Sequence, residues 1–167
     1  YIVAGTKGND KVYLFDKDSN TPLWSHEIVN DVTSVDISAN GEYIVVTSNC
    51  NSCNTDNKVY LFSKDSDIPL WNYTLGDQVH SVAISADGEY IVVGYRDCKV
   101  YLFDKDSSTP LWDYTAGGLV ESVAISADGE YIAAGSNGLE KKVYLFDKDS
   151  GTPLWNYTTD DAVHSVA

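Results

Sequence analysis

Val79-His80-Ser81-Val82-Ala83-Ile84-Ser85-Ala86-Asp87-Gly88-Glu89-Tyr90-Ile91-Val92-Val93-Gly94 decides the fold. Two apolar runs flank Asp87-Gly88, and Asp-Gly between such runs is among the strongest hairpin signals. The second run is rich in β-branched residues, which suit a strand. Downstream, the polar turn Arg96-Asp97-Cys98 leads to a third run, Lys99-Val100-Tyr101-Leu102-Phe103. A second polar turn, residues 104–109, leads to a fourth, Pro110-Leu111-Trp112-Asp113-Tyr114-Thr115. Pro110 at its start fits an outer edge, where a missing N–H costs nothing. No window offers the three-and-four spacing of a helix. The unit reads as four antiparallel strands.

The unit is repeated. Gly-Glu-Tyr-Ile recurs at Gly41, Gly88 and Gly129, and the chain opens on the matching Tyr1-Ile2. Lys-Val-Tyr-Leu-Phe begins at Lys11, Lys58, Lys99 and Lys142, and Pro-Leu-Trp ends at Trp24, Trp71, Trp112 and Trp155. Tyr-to-Tyr periods are 42, 47 and 41 residues. Four short strands in this length are one propeller blade. The sequence therefore predicts an all-β, single-domain β-propeller with four blades of four antiparallel strands, in repeats 1–42, 43–89, 90–130 and 131–167. One Trp per repeat on the outer strand reads as an inter-blade rivet. Full burial of such a ring is worth about 4–6 kcal/mol as an upper bound.

Composition narrows the partners. Among 167 residues, 25 acids face 11 bases, for a net charge of −14. Arg96 is the only arginine. Phosphate backbones need clustered Lys and Arg, so nucleic acid is not expected as a partner. An anionic membrane surface is disfavoured for the same reason, and no apolar run approaches a membrane span. The sequence holds no Met, so the chain is expected to be processed or part of a longer product.

Two family resemblances follow from these residues. Gly94 to Asp104 looks like the second half of a WD repeat, with Phe103-Asp104 where that family has Trp-Asp, and residues 81–88 match its first strand and turn. The Gly-His dipeptide before that strand is absent. The run 145–155 is similar to the tryptophan-docking repeat of pyrroloquinoline-quinone (PQQ) type propellers, through Asp147, Ser150, Gly151 and Trp155. The other copies carry Asn20, Asp67 or Ser108 at the Gly position, and Ser63 replaces the Asp in the second. Both resemblances imply a propeller. Both families include scaffolds as well as enzymes, so neither implies one activity.

Repetition makes core positions alike, so differences between copies are informative. They gather on two loop sets that a propeller places on one face. The first is residues 6–10, 47–57, 95–98 and 136–141; the second is 28–31, 75–78, 116–119 and 159–162. Diversity over a rigid frame is how binding surfaces are arranged, and drift in solvent-exposed loops gives the same pattern. The candidate binding residues are Asn49, Asn51, Asn54, Asp56, Asp77, Arg96, Asp97 and Asn137.

Other constellations have simpler explanations. His80, Glu121 and His164 occupy one repeated position, before Ser-Val, and two His with a Glu suit a metal; polarising the channel rim is the simpler explanation, and no metal is assigned. Asp16/Asp18, Asp104/Asp106 and Asp147/Asp149 suggest calcium but lack a closing carboxylate. Asp capping its own turn accounts for them. Cys50, Cys53 and Cys98 are one short of a zinc tetrad. Cys98 pairing with Cys50 or Cys53 competes with a Cys50–Cys53 bridge, and either implies an oxidising compartment. With the sequons at Asn72 and Asn156, that favours export.

No nucleophile triad, phosphate loop or dinucleotide fingerprint is present. The expectation is a non-enzymatic binding scaffold for a protein or small ligand, without cofactor. The alternatives are a fragment of a PQQ-like quinoprotein enzyme and a structural unit assembling through its terminal strands. The cut points, within a second strand at Tyr1 and a first strand at Ala167, suggest either a longer chain or a homo-oligomer, with eight blades as a dimer.

Overall fold

The computed structural model describes residues 1–50 and 57–167, and the repeated hairpins form four antiparallel meanders. The first sheet has three strands, β1 (Ile2–Gly5), β2 (Lys11–Phe15) and β3 (Pro22–Glu27). The second is β4 (Asp31–Ile37), β5 (Tyr43–Asn49), β6 (Asn57–Ser63) and β7 (Trp71–Leu75). The third is β8 (Val79–Ile84), β9 (Tyr90–Tyr95), β10 (Lys99–Asp104) and β11 (Trp112–Thr115). The fourth is β12 (Val120–Ile125), β13 (Tyr131–Ser136), β14 (Lys142–Asp147) and β15 (Trp155–Thr158). Strands pair only with chain neighbours, so each sheet is a run of local hairpins.

The first sheet differs from the expected four strands, and the closing run 163–167 forms no ladder. That run lies on the fourth sheet instead, with Val163 N donating to Ser136 O at 3.2 Å and Val166 N to Ser122 Oγ at 3.2 Å. A Tyr-to-Tyr repeat ends on the inner strand of the next sheet, so each repeat boundary ties two sheets together. Inner strands run side by side: Ile84 N donates to Asp36 Oδ2 at 3.0 Å and Val123 N to Ser81 Oγ at 3.2 Å.

The cores lie between consecutive sheets. Leu14 packs with Ile44 and Phe62, Leu61 with Ile91 and Phe103, and Leu102 with Ile132 and Phe146. Each of these nine side chains is fully buried. Among the described residues no core joins the first and fourth sheets, so the blades form an open arc.

Three of the four tryptophans act as expected, and Trp155 is exposed. Trp24, Trp71 and Trp112 donate Nε1–H to the carbonyls of Lys64, Lys105 and Lys148, each in the next sheet, at 2.7, 2.7 and 2.8 Å. Their rings lie against Phe62, Phe103 and Phe146 at 5.5, 5.6 and 5.4 Å. A second repeated contact sets each hairpin. Gly41, Gly88 and Gly129 take φ of 73°, 82° and 74°, and the rings of Tyr1, Tyr43 and Tyr90 from the preceding sheet fill the space a Cβ would need. Only glycine meets both demands.

Candidate functional site

The two variable loop sets do share a face, because they are bonded to each other. Among the described residues, the residue before the third strand of a blade is left-handed at Asp10 (φ 54°), Cys98 (φ 62°) and Lys141 (φ 46°). That conformation turns its carbonyl toward the loop joining two sheets. Asp10 O accepts from Ile28 N at 2.7 Å, Cys98 O from Ala116 N at 2.6 Å, and Lys141 O from Thr159 N at 2.8 Å. The face is therefore a hydrogen-bonded rim on a stiff frame.

The sequence-predicted residues divide on this rim. Arg96 and Asp97 are exposed. Arg96 reaches Gln78 Oε1 at 3.2 Å, and its backbone N–H donates to Gln78 O at 2.9 Å. Asp77 is half-buried and accepts from Gln78 N at 2.8 Å. Asn137 donates to Glu121 Oε1. Asn49 is buried, and its amide is committed to both backbone groups of Val79, donating at 2.9 Å and accepting at 2.7 Å. It clamps the second sheet to the third, and its burial takes it off the exposed face. Asn51, Asn54 and Asp56 lie outside the described residues.

Sequence reading did not single out Gln78 or the cluster on the fourth sheet. Tyr144 donates to Glu140 Oε2 at 3.0 Å, and Lys142 Nζ lies 2.9 Å from the same oxygen. Those two partners, Lys142 first, hold the Glu140 carboxyl below its ordinary range. Burial raises the Tyr144 phenol, and burial pushes Tyr95 up to about 12. The signal for Glu140 was its place in a variable loop.

His80, Glu121 and His164 do not converge, and among the described residues no group of His, Cys, Asp and Glu could hold a metal ion. A register shift falls between Val32 and Ser34, Val79 and Ser81, and Val120 and Ser122. Thr33, His80 and Glu121 are thus bulged residues, which aims each side chain off the ladder. The Asp-x-Asp turns cap themselves: Asp16, Asp104 and Asp147 each accept from the N–H two residues on, at 2.9, 2.8 and 2.9 Å.

Cys50 is disulfide-bonded and Cys98 is a free thiol, which overturns the pairing of Cys98 with a neighbouring loop. The left-handed turn at Cys98 is closed by its own backbone contacts, and burial raises its thiol. Cys53 lies outside the described residues.

The family model that matches, over residues 8–166, is the PQQ_2 model described as outer membrane protein assembly factor BamB. The chain belongs to this family of PQQ-like propellers. No curated protein matches the chain. The turn of the PQQ-like docking motif is formed in the fourth blade, while its Trp155 is exposed. Ser150 N donates to Asp147 O at 3.2 Å and Thr152 N to Ser150 Oγ at 3.1 Å. A Cβ on Gly151 would lie 3.2 Å from Asp113 O in the preceding blade, so a small residue seats the turn there.

PQQ itself is a quinone bearing several carboxylates and calls for a cationic cradle. The described rim offers Lys7, Arg96 and Lys141, which lie against Asp31, Gln78 and Asp161. Those residues do not fit that cofactor.

Proposed function

We propose that this PQQ-like propeller is a non-enzymatic interaction scaffold whose loop face recognises a partner protein. The supporting observation is a division within the chain. Blade-to-blade contacts repeat in kind, with Trp on Phe and Tyr on Gly, while the loop face differs in every copy. Asp31 receives Gly8 N between the first and second sheets, Asn49 clamps Val79 between the second and third, Arg96 meets Gln78 at the entry to the third, and Asn137 meets Glu121 within the fourth. A frame held constant under a face that changes is what specific recognition uses. The net charge of −14 favours a basic partner, because complementary fields speed encounter and reject acidic competitors.

Site-specific photo-crosslinking tests this. A photoreactive residue at Asp97, on the loop face, is expected to capture a defined partner, and one at exposed Asn72, on the outer strand β7, is not. Capture at Asn72 alone, or equal capture at both, refutes the loop face. The quinoprotein reading is tested separately by adding PQQ with Ca²⁺ and recording the absorbance of the bound quinone; saturable binding with redox activity would replace the scaffold reading.

A further inference from the structure

The outer strands hold one position at which the copies differ in kind. The residue after each repeated Trp is Ser25, Asn72, Asp113 or Asn156. In the third blade Asp113 is engaged, its carboxylate accepting from Lys99 Nζ at 2.8 Å. Asn72 and Asn156 are exposed, and their amides have no hydrogen-bond partner among the described residues. Each opens the triplet Asn-Tyr-Thr, with Thr74 and Thr158 two residues on, which is the acceptor pattern for an N-linked oligosaccharide.

The second blade presents that triplet to solvent. Trp71 and Tyr73 both lie on Phe103 of the third sheet, with ring centroids 5.6 and 5.3 Å apart. Side chains alternate across a strand, so Asn72 and Thr74 share the opposite face, amide beside hydroxyl, and both are exposed. β7 pairs with β6 alone, with Asn72 opposite Tyr60 and Thr74 opposite Lys58. The first and third sheets both pack against the second, so the exposure of Asn72 is that of an interior blade. A separate observation points to the compartment. Cys50 is disulfide-bonded, which belongs to an oxidising environment, and N-linked sugars are carried on the surfaces of exported proteins.

We propose that Asn72 carries an N-linked oligosaccharide, and that Asn156, its repeat equivalent, carries a second. The donor is an oligosaccharide held on a lipid through pyrophosphate. Asn72 Nδ2 attacks the anomeric carbon, and the new C–N bond replaces the C–O bond to pyrophosphate. The amide gives up one proton, and the lipid pyrophosphate leaves with the bonding pair. No oxidant or reductant is needed. A bulky hydrated group in the middle of β7 covers a strand edge that otherwise invites pairing with another chain. The third blade meets the same need with a charge, Asp113. The sugar stands on the outer wall and leaves the loop face open, so this proposal and the scaffold reading fail separately.

Peptide mass spectrometry of the protein from its source cells tests it. Cleavage after Lys64 and Arg96 gives peptide 65–96, in which Asn72 opens the one sequon, and cleavage after Lys148 separates Asn156 from it. Both peptides are expected to be heavier than their sequences, and to fragment into sugar ions and a peptide bearing a sugar on the Asn. In the full chain secreted by a cultured eukaryotic cell line, Thr74→Ala is expected to abolish the modification at Asn72 and keep that at Asn156. Thr74→Ser is expected to restore it, and both variants to keep the wild-type far-ultraviolet circular dichroism spectrum. Peptide 65–96 recovered only at its unmodified mass, or a sugar on Asn72 that persists in Thr74→Ala, overturns the proposal.

Discussion

Truncating Trp71 measures what one blade junction is worth. Its indole N–H bonds the Lys105 carbonyl at 2.7 Å and its ring tilts on Phe103 at 5.6 Å. A hydrogen bond of this kind contributes about 0.5–1.5 kcal/mol net, and the aromatic pair about 0.5–1.5 kcal/mol beyond area. The half-buried ring removes roughly 100 Å² from water, worth about 2.5 kcal/mol, and less against a compact unfolded chain. Trp71→Ala should therefore cost about 3–5 kcal/mol. Trp71→Phe keeps a ring on Phe103 and loses the donor, so it should cost about 1–2 kcal/mol. Trp112→Phe should match it, because Lys148 and Phe146 repeat the geometry. Urea unfolding followed by far-ultraviolet circular dichroism reads all three. A Trp71→Ala protein within about 0.5 kcal/mol of wild type, or a Trp71→Phe protein as damaged as Trp71→Ala, would refute the rivet.

Two further outcomes follow from the hairpin turns. Gly88→Ala places a Cβ at φ 82° against the Tyr43 ring and should cost about 2–3 kcal/mol; in a Tyr43→Ala background the steric part is relieved, and a thermal-melt double-mutant cycle should show the smaller cost. Hydrogen bonds from Ser85 and the Glu89 N–H hold the Asp87 carboxyl below its ordinary 3.8, and Ser126 and the Glu130 N–H do the same for Asp128. A depressed folded-state pKa means that the unfolded chain takes up protons first, so this stabilisation is present above about pH 4 and lost as pH falls through the folded values. Asn40 already fills the equivalent place, accepting from Ser38 Oγ at 2.6 Å and Glu42 N at 2.9 Å. The double variant Asp87→Asn/Asp128→Asn should therefore fold normally and lose less stability between pH 5 and about pH 3; an acid slope identical to wild type counts against the turn carboxylates. Asp36 titrates in the opposite sense, since burial raises its carboxyl despite bonds from Ile84 and Ile37, and it is unchanged in that comparison.

What the sequence determined by itself was everything held by neighbours in the chain. Asp87-Gly88 between two β-branched runs, repeated, specifies hairpins, and four hairpin sets of one length specify blades. The Trp rivet was legible because four copies place the same ring at the same point. The Asp-x-Asp caps were legible because their bonds span two residues.

The tertiary structure decided what depends on groups from different blades. Asn49 looked like a surface amide in a variable loop, and it is buried because Val79, 30 residues on, brings two backbone groups that need partners. His80 and Glu121 shared a repeated position, which suggested convergence, but Glu121 is bonded to Asn137 of its own sheet. Sequence left the thiols' pairing open, and the structure keeps the Cys98 thiol free while Cys50 is disulfide-bonded. Whether the arc is open or closed was hidden for the same reason. A repeat fixes how each blade meets the next, whereas the burial of Ile2 and Trp155 depends on whether a blade packs against the outer faces of the first and fourth sheets, which is a property of the assembled surface and not of any local run of residues.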